Sequence, residues 1–169
     1  MPAPTLHALR DPDYVHVIYI LASPEKVWAA LTDGTSERAW WAGTRHASAF
    51  KAGDPVVFQR AGAVDVRGEI LESDPPRRLV YTFHIEGADP MHDEGPSVVT
   101  YELRPNGDAT MLKVVHGNFP QGSTVRPSIE QGWPAILSAL KSALEGGRTP
   151  EYARWGECEA KAESTPAGA

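Results

Sequence analysis

Few side chains in this sequence could do acid–base chemistry, and they are scattered. His116 closes a β-rich run in which Thr110, Leu112, Val114 and His116 share one face and Met111, Lys113 and Val115 the other. An inward histidine there can serve as a general acid or base, or bond a ligand. The position better suits a partly buried histidine bonded to a backbone carbonyl near the strand end. Tyr101 shares a face with Val99 and Leu103, either turning its hydroxyl to a ligand or packing in the core with a wet tip. His84 and Glu86 stand two apart, so an imidazole and a carboxylate fall on one strand face. Tyr81, Phe83 and Ile85 make the better core face, which sends His84 and Glu86 toward solvent. Arg67 and Glu69 read as a solvated pair.

Metal and cofactor signals are weak. The six histidines are dispersed, with no His-x-x-x-His or Cys-x-x-Cys spacing. Met91-His92-Asp93-Glu94 gathers ligand types, but in a loop. Gly-x-Gly-x-x-Gly, Walker-type and Gly-x-Ser-x-Gly motifs are absent. Neither a metal nor a cofactor is expected.

The elements that must position these groups follow from periodicity and turn chemistry. Residues 1–13 carry three prolines and read as a flexible arm. A strand is expected over 14–21. Ser23-Pro24 then starts a helix over 24–32, and Asp33-Gly34 ends it. A second short helix runs from Ser36 to Trp41. Two adjacent residues on so short a helix should not both face the core, which puts Trp41 near a pocket entrance. Strands are expected near 45–50, 55–60, 63–73, 77–86, 97–104 and 109–117, joined by hairpin-length turns such as Pro105-Asn106-Gly107-Asp108. The stretch 87–96 reads as a mobile loop. From Ser123 the period changes: Ile129, Trp133, Ile136, Leu137, Leu140 and Leu144 mark an amphipathic helix. Pro134 predicts a kink or break in it, and Gly146-Gly147 its end. A further short helix is expected over 150–162, with Tyr152 and Trp155, before a disordered tail.

One long helix cannot cover both faces of seven strands, so the economical fold is α+β, a curved antiparallel sheet gripping the helix on its concave side. That gives an arm at 1–13, one domain at 14–147 and an extension at 148–169. The expected cavity is lined by Trp41, Val99, Tyr101, Leu112, Val114, His116, Trp133 and Leu137, opening toward the 87–96 loop.

Composition narrows the classes. The chain has 169 residues, 41% of them apolar and 22% charged, with a net charge of −6. That suits a single core and disfavours binding to nucleic acid, which needs a basic face. No apolar run approaches the roughly 18 residues of a membrane span. The single cysteine, Cys158, fits a cytoplasmic setting. Sheet edges that need covering leave room for a homodimer.

Several segments carry a resemblance. Ala22-Ser23-Pro24-Glu25-Lys26-Val27-Trp28-Ala29-Ala30-Leu31-Thr32-Asp33 resembles the opening of START-like (SRPBCC) proteins, in the branch named after the activator of the heat-shock-protein-90 ATPase. Trp40-Trp41, Asp74 to Thr82, Thr110 to His116, and Gly132 to Leu137 resemble that branch's later motifs, in order. The resemblance implies a helix-grip (START-like, Bet v-like) fold with an internal cavity. It implies binding of a small apolar or aromatic molecule. The alternatives it implies are a cofactor-independent polyketide cyclase, aromatase or hydratase, for which the strand faces, and not the resemblance, offer His116, Tyr101 or His84, and a stress-related, chaperone-activating interaction module. The matched motifs are packing motifs, so function taken from them is analogy.

Overall fold

The computed structural model describes residues 10–87 and 90–150. The elements run β1 (Tyr14–Ile20), α1 (Pro24–Thr32), a 3-10 turn (Ala39–Trp41), β2 (Arg45–Ala47), β3 (Pro55–Arg60), β4 (Ala63–Asp74) and β5 (Arg78–Ile85). A second 3-10 turn (His92–Glu94), β6 (Ser97–Asn106), β7 (Ala109–Gly117) and α2 (Val125–Gly146) complete the chain. The strands form one antiparallel sheet in the order β1-β7-β6-β5-β4-β3-β2. The first strand thus closes against the last, Tyr14 opposite His116, and α2 packs chiefly on β1 and the first 3-10 turn. This is the expected helix-grip arrangement. No helix among the described residues is long and apolar enough to cross a membrane.

The two sheet faces differ as the alternation requires. Val99, Tyr101, Leu103, Leu112 and Val114 are buried on the inner face. On the outer face a row of alternating charge crosses four strands: Glu72 to Arg78 at 3.0 Å, Arg78 to Glu102 at 2.7 Å and Lys113 to Glu102 at 3.5 Å. Arg67 does not pair with Glu69, as the sequence suggested. Its Nε lies 3.5 Å from Glu86, because β4 and β5 set Arg67 opposite His84, next to the end of β5.

Two local expectations change. Helix α2 is not broken: it runs unbroken through Pro134. The proline removes the amide that would bond the Glu130 carbonyl, a cost of about 3 kcal/mol in a helix interior. Burial of Ile129, Trp133, Ile136, Leu137 and Leu140 offsets it. Trp40 and Trp41 both face the interior, at 7% and 8% exposure. Trp40 lies beneath the Arg38 guanidinium, 5.7 Å from its ring centroid, while Trp41 meets Phe58 and Trp133, each at 5.3 Å. A left-handed Ala42 turns the chain sharply enough to permit both. Arg38 itself is 3% exposed and closes the C-terminus of α1, donating to the carbonyls of Ala30 (3.2 Å) and Leu31 (3.0 Å). Burial lowers its pKa to about 10.

The segments flanking α2 are tied down. Of the expected arm, Arg10 bridges to Pro120, and Asp11 accepts from the amides of Gly122 and Ser123. The loop after β5 is held too. Glu94 accepts from Ser123 Oγ at 2.6 Å and from the amide and hydroxyl of Thr124, so a carboxylate from this loop sits on the amino end of α2. The readings for residues 1–9, and for Tyr152, Trp155 and the tail, lie outside the described residues.

Candidate binding cleft and the polar groups around it

The concave face and α2 leave a cleft of about 380 Å³ between them. Trp41, Phe58, Val66, Phe83 and Ile129 form its apolar walls. Its polar border includes Thr44, Glu86 and an Arg60–Asp65 ion pair at 2.7 Å. A smaller void of about 60 Å³ continues inward, sharing Trp41, Phe83 and Ile129 and ending on Gly132, Trp133 and Ile136. Two further hollows, of about 420 and 560 Å³, lie beside α1 and at the C-terminal end of α2. Neither lies between the sheet and α2.

The local sequence explains the position. Val66, Phe83 and Ile85 come from the inward faces of β4 and β5, where the sheet curls away from α2. The facing part of α2 offers Ser128 and Gly132, too small to fill the gap. Thr44 Oγ1 is buried and has no hydrogen-bond partner. Such a hydroxyl is costly to leave unpaired, and it is free to bond a ligand or a water.

Of the residues expected to line a cavity, only Trp41 and Trp133 border this space. Val99, Leu112, Val114, Leu137, Tyr101 and His116 are 0–2% exposed and belong to closed core under β6 and β7. The correction has a specific cause. The indole N–H of Trp133 donates to His116 Nδ1 at 3.0 Å, drawing α2 onto β7 and shutting that half of the sheet.

That bond also fixes the imidazole. With Nδ1 accepting, the neutral ring carries its proton on Nε2 and donates to Ser97 Oγ at 2.7 Å. Ser97 in turn donates to the Phe83 carbonyl at 3.0 Å. Both ring nitrogens are used, and burial drives the histidine pKa down to about 3. A ring so held has no free atom for a substrate and stays neutral near pH 7. Tyr101 is committed likewise: its hydroxyl meets that of Tyr81 at 2.8 Å, and burial raises the pKa of both. The two groups do not converge on a common void.

His84 is placed differently. It is half-buried, bonds the His92 carbonyl at 2.8 Å, and stacks on the His92 ring with centroids 4.5 Å apart. Glu86 completes a cluster with these two histidines. The sequence separated His92 from the pair in a loop. The 3-10 turn brings it back, a contact that strand periodicity does not encode.

Fold and site together define a helix-grip α+β domain with an aromatic-walled cleft between sheet and helix. The chain belongs to the family described as activator of Hsp90 ATPase homolog 1-like protein, whose model matches residues 21–145. A comparison with curated protein sequences finds no match. Among solved structures, the protein MLL2253 from Mesorhizobium loti is similar at 27% identity and TM-score 0.68, covering 79% of this chain and 96% of that one. The Aha1 dimer from Colwellia psychrerythraea is similar at 22% identity and TM-score 0.67, covering 82% and 99%. PFC0360w, an HSP90 activator from Plasmodium falciparum, is similar at 21% identity and TM-score 0.65, covering 78% and 95%.

Proposed function

We propose that this domain encloses a small hydrophobic or aromatic molecule, with its apolar body between Trp41, Phe58 and Phe83 and one polar group at the Thr44 side. The observation that carries the reading is the cleft itself. Its 380 Å³ lies within the range of about 300–1,000 Å³ typical of small-molecule sites. It is apolar inside, polar at one border and supplied with an unpaired buried hydroxyl. An enzymatic reading, as cyclase, aromatase or hydratase, loses the two groups the sequence offered for it, because His116 and Tyr101 are both spent in the closed core.

The test is titration of the full chain with a fluorescent aromatic probe such as 1-anilinonaphthalene-8-sulfonate, alongside a variant with the cleft filled, Ile129→Trp. The reading expects saturable binding by the parent and at least a tenfold loss in the folded variant. Equal binding by both removes the cleft as the site. Family membership favours a second reading, docking on an Hsp90-type ATPase. ATPase stimulation by the added domain tests it directly. A homodimer, the state named for the Colwellia relative, is checked by light scattering of the eluted protein.

A further inference from the structure

The second 3-10 turn brings three donor side chains of metal-binding type together at the end of β5, one of which, Glu86, also lines the cleft. His84 lies on β5, Glu86 just past its end and His92 at the start of the turn, all half-buried. One ligand atom from each lies within 4.8 Å of the other two. No other such group occurs among the described residues.

The hydrogen bonds decide what the rings can offer. His84 Nε2 faces the His92 carbonyl at 2.8 Å, and His92 Nδ1 faces the Ile85 carbonyl at 2.9 Å. A carbonyl only accepts, so each of these nitrogens carries the proton. The lone pairs are therefore left on His84 Nδ1 and His92 Nε2, and neither atom has a hydrogen-bond partner among the described residues. Histidines that bind metals commonly have this arrangement: one nitrogen donates to a carbonyl or carboxylate, fixing the tautomer, and the other holds the ion. Glu86 adds a carboxylate whose ion pair with Arg67 is long, at 3.5 Å, with Arg67 half exposed. It can exchange that contact for a cation.

We infer that His84, Glu86 and His92 form a site for a borderline divalent cation, zinc above all, at the border of the cleft. Two neutral imidazoles and one carboxylate, with no thiolate, suit zinc and leave its fourth position for water. Tetrahedral zinc with bonds of about 2.0–2.1 Å sets its ligand atoms about 3.4 Å apart. Donor atoms up to 4.8 Å apart must therefore draw in, and the near-parallel rings, now at 18°, must tilt so that His84 Nδ1 and His92 Nε2 converge on the ion. The bound ion would staple the turn to the end of β5. Met91 precedes that turn, and Met91 and Glu86 both border the cleft, so the staple would stiffen one side of its mouth. The inference stands whether or not the cleft takes a ligand.

Isothermal titration of zinc chloride into the full chain tests it, in a Cys158→Ser background that removes the sole thiol. The expected result is one zinc ion per chain and a rise in Tm with zinc. His92→Gln and Glu86→Gln, with unchanged circular dichroism, should each weaken binding at least tenfold, whereas His16→Gln should not. Should a variant fail to fold, histidine ring ¹⁵N spectra of the parent must show zinc shifting His84 and His92. Absence of saturable binding, unchanged affinity in folded His92→Gln, or zinc shifts confined to other histidines would overturn the assignment.

Discussion

Trp133 and His116 join the long helix to the last strand through one buried bond, indole N–H to Nδ1 at 3.0 Å. Replacing the donor leaves an imidazole nitrogen buried without a partner, which costs about 1–3 kcal/mol. Trp133→Phe should therefore lower unfolding free energy by at least that much, with the smaller ring adding a cavity cost. Denaturant unfolding measures it. A change below about 0.5 kcal/mol would mean that the bond does not hold α2 to the sheet.

The same histidine sets an acid sensitivity. Burial lowers the folded-state pKa of His116 to about 3, and His46, buried with Arg38 nearby, is also held well below its usual value. Above about pH 6.5 neither folded nor unfolded chain protonates these rings. Below it the unfolded chain binds protons that the folded chain refuses. Stability then falls as pH falls, down to about pH 3 for His116, where the loss is complete. Well inside the window each such histidine contributes a slope of about 1.4 kcal/mol per pH unit. The carboxylates of Asp33 and Glu94, held low by hydrogen bonds, add their losses only below about pH 4.5. Urea unfolding between about pH 7 and pH 5 isolates the histidines. His116→Gln should flatten that slope, and an unchanged slope would refute a neutral buried ring.

Pro134 offers a gain. Helix α2 continues through it without the amide bond to Glu130. Pro134→Ala restores that donor and a better helix former, so stability should rise by about 1–3 kcal/mol, read as a higher Tm. A lower Tm would show that the ring's packing outweighs the missing bond.

Two glycines separate rigid from yielding neighbours. A Cβ on Gly68 would stand 1.8 Å from the Thr82 carbonyl oxygen, a backbone atom of β5, which is paired on its other side with Val98 of β6. At Gly117 the nearest atom is the Asp13 carboxylate at 2.2 Å, the end of a side chain that can swing away. Gly68→Ala should cost about 3 kcal/mol or more and Gly117→Ala clearly less. Comparing their denaturation midpoints checks the order.

Much of the architecture is readable from local pattern because alternation and turn residues act over a few positions. Thr110 to His116 alternate inward and outward as written, and Ser23 caps α1, accepting from the Lys26 amide. The location of the cleft was readable only at its mouth, where Trp41 and Met91 of the 87–96 loop border it as expected, and not in its depth. It depends on which half of the sheet α2 approaches, and the Trp133–His116 bond between residues 17 apart decides that. Phe58 and Phe83 read as strand residues, and only their meeting, at 5.9 Å, makes them walls. His92 was invisible for a related reason, since a turn that folds a loop back onto β5 leaves no periodic trace.

The pairing of Tyr14 with His116 also bears on synthesis. Strand β1 leaves the ribosome first, yet its partner β7 and its covering helix α2 come last. At about 5–20 residues per second the strand waits seconds for both. Until Val125 onward has emerged, the growing chain carries a nearly complete sheet whose concave aromatic face has no cover. For that interval the nascent chain, rather than the finished protein, is the species most prone to association.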